Sequence, residues 1–294
     1  MSLLGSLLPP GFLTSAPVQT ALAVSFGAAV VSGIVGVFTL IRGHAFAGHA
    51  LADVSSAGGA ASYVLGINPL FGFVLMAALG AASMELIGLR RAREQGLATG
   101  IVLGAGLGLS ALFLYFDVTM GSTTGAAITV MFGSMFAIPA AIAPLALGAG
   151  LGAMLTIGIL YRPLLLLATD PDLAQLRGIP VRVLGFLNLL VLAVAVALSA
   201  MTVGAILSTA LLIGPAAIAL RLARRPGAAL LLSAAIGLAA SWGGLLLAYD
   251  SYYWTQGHGW PVSFCIVALI FGAYLGIIHV PDRLRRRFLP KTVR

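Results

Sequence analysis

Charge is scarce in this chain. Of 294 residues, 16 are lysine or arginine and 8 are aspartate or glutamate, so only 8% are charged. Soluble domains carry about 25%. With 60% apolar residues and a mean hydropathy of +1.09, the chain reads as an integral membrane protein. No polar stretch exceeds a loop, which excludes a soluble domain of useful size. Cysteine is almost absent too: Cys265 stands alone, so it forms no intrachain disulfide and offers no iron–sulfur or conventional copper site. It reads as a small buried apolar residue. Lysine occurs once, at Lys291, and no GxxxxGK[ST] run exists. The chain therefore has no phosphate loop for hydrolysing ATP. Met1 to Thr14 lacks the basic n-region and cleavage site of a signal peptide.

What is present is a series of long apolar runs, at 17–41, 44–66, 69–89, 97–116, 139–161, 184–201, 205–220, 228–248 and 261–279. They predict an all-α polytopic membrane protein, a single transmembrane domain over residues 1–294. It has about nine crossings, each near the ~20 residues a bilayer needs. The net charge of +8 does not indicate nucleic acid, because its distribution is topological. Basic residues sit at Arg42; at Arg90, Arg91 and Arg93; at Arg162, Arg177 and Arg182; at Arg221, Arg224 and Arg225; and from Arg283 to Arg294. The alternate loops have none. By the positive-inside rule the basic side is cytoplasmic, placing the N-terminus outside and the C-terminus in the cytoplasm. Residues 117–137 hold only a short apolar run, Ala126 to Phe132, and predict a short re-entrant segment on the outer side, shielded by protein. Asp117 reads as an exposed outer-loop residue.

Glycines recur every fourth residue at Gly100, Gly104 and Gly108, and again at Gly148 and Gly152. Such stripes predict close helix packing. Pro215 is expected to kink or end its helix.

Two polar islands carry the chemistry. His49 and Asp53 lie one helical turn apart within an apolar run, so both project from one face. At ~1.5 Å per residue from Arg42, His49 is ~10 Å deep and Asp53 ~16 Å. Ionisable groups at that depth face a bundle interior or a watery path. Imidazole and carboxylate are ligands for a divalent transition metal, zinc foremost and manganese next, and a proton relay uses the same pair. The other island runs from Thr169 to Pro180. Asp170 before Pro171 predicts an N-cap with proline at the first helical position, and Gly178 marks the end. A short capped helix including Asp172, Leu173 and Ala174 on the basic side suits the docking of a cytosolic partner. In the outer loop, His258 beside Asp250, Trp254 and Trp260 is a weaker candidate for handing metal inward, against an aromatic belt at the interface. His44, Glu85 and His279 read as interfacial residues.

Three segments resemble the zinc/manganese (ABC-3 type) permeases of ATP-binding cassette importers. They are Gly48-His49-Ala50-Leu51-Ala52-Asp53 with Asn68-Pro69, the stretch from Asp170 to Gly178, and Val203 to Ala217. The resemblance implies a permease for zinc or manganese in the cell (inner) membrane, working as a homodimer. It also implies two cytosolic ATPase subunits, an extracytoplasmic metal-binding protein and no permanently bound cofactor. His49 and Asp53 are then the metal residues, and Asp170, Asp172, Leu173, Ala174 and Gly178 the ATPase-coupling element. The family commonly has the acidic residue first and histidine four later; here the order is reversed. Two other readings stay open: an ATP-independent secondary transporter or channel, and a siderophore- or cobalamin-type permease.

The topology is testable by single cysteines placed at Arg91, Arg177 and His258 in a chain with Cys265 replaced. An impermeant thiol reagent added outside is expected to modify only the cysteine at 258. Modification at 177 instead would reverse the orientation.

Overall fold

The computed structural model describes residues 12–88, 92–120, 125–255 and 259–279, and every regular element among them is helical. In chain order the helices are α1 (Ala16–Ile41), α2 (Ala45–Leu65), α3 (Pro69–Gly88), α4 (Ala92–Met120), α5 (Gly125–Phe132), α6 (Ala143–Thr169), α7 (Pro171–Leu176), α8 (Val181–Val203), α9 (Ala205–Leu222), α10 (Pro226–Trp254) and α11 (Val262–His279). A helix satisfies its own backbone hydrogen bonds, the requirement for any segment in hydrocarbon.

Among the described residues, 8 helices are long and apolar enough to cross a membrane, and α2 is not one of them. It has the length, 21 residues, but its sequence carries His49, Asp53 and several serines and glycines. The structure supplies the physical reason. Helix α2 packs against α3, α4, α5, α8 and α9, and from Ala50 to Ala60 every residue is buried. A helix wrapped by others need not be apolar, which accounts for the low hydropathy of α2.

Close approach to α2 is made by glycine. A Cβ at Gly58 would collide with the Gly72 backbone, and one at Gly72 with the Gly58 backbone. On α4, a Cβ at Gly106 would fall 2.8 Å from the Val54 backbone nitrogen. The stripes predicted from sequence do something else. Among the described residues, nothing outside the local helix backbone lies within 4 Å of a Cβ built at Gly100, Gly104, Gly108, Gly148 or Gly152. Among the described residues these glycines meet no neighbouring helix; on α4 it is Gly106 and Ser110 that face α2.

The segment after α4 matches the re-entrant expectation in form. Helix α5 has 8 residues, too few to cross, and packs on α2, α8 and α9. Its end meets the corner between α8 and α9, where Gly204 has φ 91° and Gly133 has φ 74°. A Cβ at either would strike the other's backbone region, so this irregular backbone is covered by protein. Asp117 departs from expectation. Helix α4 continues to Met120, and Asp117 lies on it, 2% exposed, rather than in an open loop. Helix α6 likewise runs past Arg162 and through Pro163. Pro215 does not end α9, which continues to Leu222.

The two glycine classes should separate on substitution. Gly58→Leu is expected to abolish recovery of monodisperse protein, since backbone on both sides must shift. Gly104→Ala is expected to leave the melting temperature within about 2 °C, as exposed changes usually cost under ~0.5 kcal/mol. Equal tolerance at both positions, read by detergent-phase thermal unfolding, would contradict the packing.

Candidate functional site

Helix α2 begins after Gly43 (φ 70°), which turns the chain from α1, and ends at Gly66 (φ 66°). Between them the i, i+4 spacing brings His49 Nε2 to 3.8 Å from Asp53 Oδ2. That is too long for a hydrogen bond. A cation with bonds of ~2.1 Å to each ligand spans up to ~4.2 Å, so the gap suits a bridging metal. The two side chains differ in exposure: 45% for His49 and 11% for Asp53. Asp53 is the more buried of the two, and its backbone carbonyl oxygen accepts from the Ser56 hydroxyl of α2 at 2.7 Å and the Ser110 hydroxyl of α4 at 3.1 Å. These two hydroxyls are 2.7 Å apart. The backbone that carries the carboxylate is thereby fixed from both α2 and α4.

His49 looks the other way, toward α9 and open space. Its Nδ1 is 3.1 Å from Thr209 Oγ1. Phe46, three residues before His49 on α2, is 52% exposed, and Ile206, three before Thr209 on α9, is 49% exposed. Among the described residues, no group of three or more His, Cys, Asp or Glu side chains is placed to hold a metal ion. One chain offers two donors, and the imidazole faces outward.

The second polar island folds as read. The Asp170 carboxylate accepts the Leu173 N–H at 2.9 Å, Pro171 opens α7, and Gly178 closes the turn with φ 74°. Ala174 is fully buried, while Leu176 is 85% exposed and Leu173 37%. Helix α7 thus has an anchored side, toward α6 and α8, and an uncovered apolar side. Asp250 lies on α10, partly buried; His258 lies outside the described residues, so the proposed outer hand-over is not seen as a site.

Three residues read as interfacial are in fact grouped or bonded. Arg42, His44 and Glu85 line a cavity of about 170 Å³ with Thr99 and Arg182, near the start of α8. Burial, and then the nearby Arg42 charge, lowers the His44 pKa from 6.5 to about 4. Burial likewise lowers that of Arg42, with Glu85 opposing the shift. Ala47, which also lines the cavity, is two residues from His49 and so nearly opposite to it around α2. The cavity is therefore off the His49 face. His279 donates from Nδ1 to the Leu275 carbonyl at 2.9 Å and is exposed, as expected at a helix end. Sequence reading missed Thr209 and Ser110, since a lone hydroxyl in an apolar helix gives no pattern. It also missed Asn188, buried within α8.

Fold and site together define a class: a polytopic helical membrane protein with a polar pair on an enclosed helix. The comparisons with known proteins give the family. The profile of the ABC 3 transport family matches residues 15–278, and the chain belongs to that family. It is 34% identical to the manganese import system permease protein ScaB of Streptococcus parasanguinis, over 79% of this chain and 81% of that one. It is 30% identical to the manganese transport system membrane protein MntC of Halalkalibacterium halodurans, over 77% of each. Among solved structures it resembles PsaBC from Streptococcus pneumoniae in complex with Fab. There the TM-score is 0.79 and the identity 28%, covering 94% of this chain and 95% of that one.

His44 gives a pH signature. Its folded pKa is depressed, so between about 6.5 and about 4 the unfolded chain takes up a proton that folded His44 refuses. Stability should fall as pH drops through that window, by up to about 3 kcal/mol. His44→Gln is expected to flatten the melting temperature between pH 6.5 and 4. An unchanged slope would mean other groups set the acid sensitivity.

Proposed function

We propose that this chain is the permease subunit of an ATP-driven importer for manganese or zinc. The observation that carries the reading is the His49–Asp53 pair, two metal-type donors 3.8 Å apart on the most enclosed helix. In this reading two copies of the chain face each other across the open surface of Phe46, His49 and Ile206. Two imidazoles and two carboxylates then complete a transient four-donor site, which one chain alone lacks. Zinc takes imidazole nitrogen and carboxylate oxygen readily, whereas manganese favours more oxygen. The manganese permeases among the relatives shift the balance toward manganese.

Energy comes from outside the chain, since it has no phosphate loop. Helix α7 is the docking element for a cytosolic ATPase. Its exposed Leu173 and Leu176 supply apolar contact, and its capped start and closure at Gly178 keep it rigid against α6 and α8. Movement of α7 passes to α8 and, through the one-residue corner at Gly204, to α9, which touches His49. A metal-delivering protein binds the opposite face. The N-terminus is outside and the basic loops are cytoplasmic.

Uptake by the complete reconstituted complex, with manganese and zinc compared, tests the reading. His49→Ala and Asp53→Ala are each expected to cut uptake at least 100-fold while the ATPase still co-purifies. Replacing Asp172 to Gly178 by a flexible linker is expected to preserve insertion and lose the ATPase. Normal transport per folded complex in both alanine variants would refute the metal path. Transport without nucleotide would favour a secondary transporter.

A further inference from the structure

The hydrogen bond between His49 and Thr209 joins residues 160 positions apart, on two different helices. Packing does not depend on it, because α2 and α9 already interlock where Leu212 covers Gly48. Interhelical hydrogen bonds of this kind in membrane proteins contribute only ~0.6 kcal/mol on average. Its chemical consequence is larger. An imidazole that binds a cation through one nitrogen carries its proton on the other, and the partner of that N–H sets both tautomer and ring rotation. The geometry distinguishes the two nitrogens of His49. Nε2 faces Asp53, at a distance that permits a bridging ion and no direct hydrogen bond; Nδ1 faces a hydroxyl at 3.1 Å. The ring itself is 45% exposed, so packing alone constrains its broad χ2 rotation weakly.

We propose that Thr209 is the positioning residue of the transported cation's site. Its hydroxyl oxygen accepts the His49 Nδ1–H, holds that tautomer, and aims the Nε2 lone pair at the space shared with Asp53. The proposal rests on the reading of His49 and Asp53 as cation ligands. It also makes cation affinity depend on where α9 stands relative to α2. A slide of α9 that separates Thr209 from His49 frees the ring and weakens its hold on the ion.

The test is equilibrium binding of radiolabelled manganese, and separately zinc, to the purified permease–ATPase complex without any binding protein. Thr209→Val keeps the shape and removes the hydroxyl; Thr209→Ser keeps the hydroxyl. The valine variant is expected to bind manganese about 10–100-fold more weakly, the usual effect of losing such a partner. Its melting temperature should match wild type. The serine variant should return to within about 3-fold of wild type. Thr209→Ala makes the same comparison if the valine complex assembles poorly. His49→Ala in parallel separates the two failures. Unchanged binding in His49→Ala refutes the underlying ligand reading. Lost binding there, with wild-type affinity in the valine or alanine variant, refutes the role of Thr209 alone. Equal weakening in valine and serine variants also overturns it, since the hydroxyl would then be irrelevant.

Discussion

A carboxylate near the middle of a bilayer must be surrounded by protein or water, and the arrangement of this molecule follows from enclosing one helix. By translocon-type scales a central aspartate costs ~2.5–3.5 kcal/mol if left to lipid. Helix α2 avoids that cost by being wrapped by six others, and the wrapping is possible because its surface is rich in alanine, serine and glycine. Those residues contribute little to membrane insertion, and they permit backbone contact at Gly58 and Gly72. Low hydrophobicity and close packing are thus two sides of one composition. The same choice leaves room for hydroxyls, which tie Asp53's carbonyl to α4.

The enclosure is incomplete on one side, and the polar pair sits at that opening. Asp53 is nearly covered while His49 is almost half exposed, one turn away on the same helix. A simple buried ion pair would have both partners covered and in contact. Here they stand 3.8 Å apart, with the imidazole supported from another helix. The arrangement resembles two arms of a chelate more than a structural bond. Its exposed flank of Phe46 and Ile206 is apolar enough to be covered in an assembly.

Much of this was legible in the sequence because the strongest signals are cooperative. Length and apolarity predicted about nine crossings; eight described helices meet both tests, and α2, read from sequence as one more, is too polar to be among them. The cap at Asp170 was readable because proline at the first position and glycine after the end act together on a short element. Asp117 was misread because the helix boundary was set by hydropathy. Helix α4 continues past its apolar run, and four residues decide whether a carboxylate is outside or buried. The glycine stripes failed for another reason. Spacing shows that a close approach is available on a face, and only the neighbouring helices decide which face is used. Thr209 was invisible because its meaning lies entirely in a partner 160 positions away.

The last link is mechanical, and it runs through glycine at a corner. Val203 ends α8 and Ala205 begins α9, so Gly204 alone carries the change of direction, at φ 91°. A non-glycine residue there would be strained, and its Cβ would collide with the end of α5. A one-residue corner transmits motion stiffly, because no slack chain absorbs it. Helix α7 lies at one end of α8 and Thr209 lies just beyond the other, a little over one turn into α9. Displacement applied at α7 therefore reaches the imidazole through two rigid rods and one joint. Helix α5, packed into that joint and against α2, adds the outer segment to the same unit. In the proposed importer, helix α7 and the polar pair, far apart along the chain, are two ends of one lever.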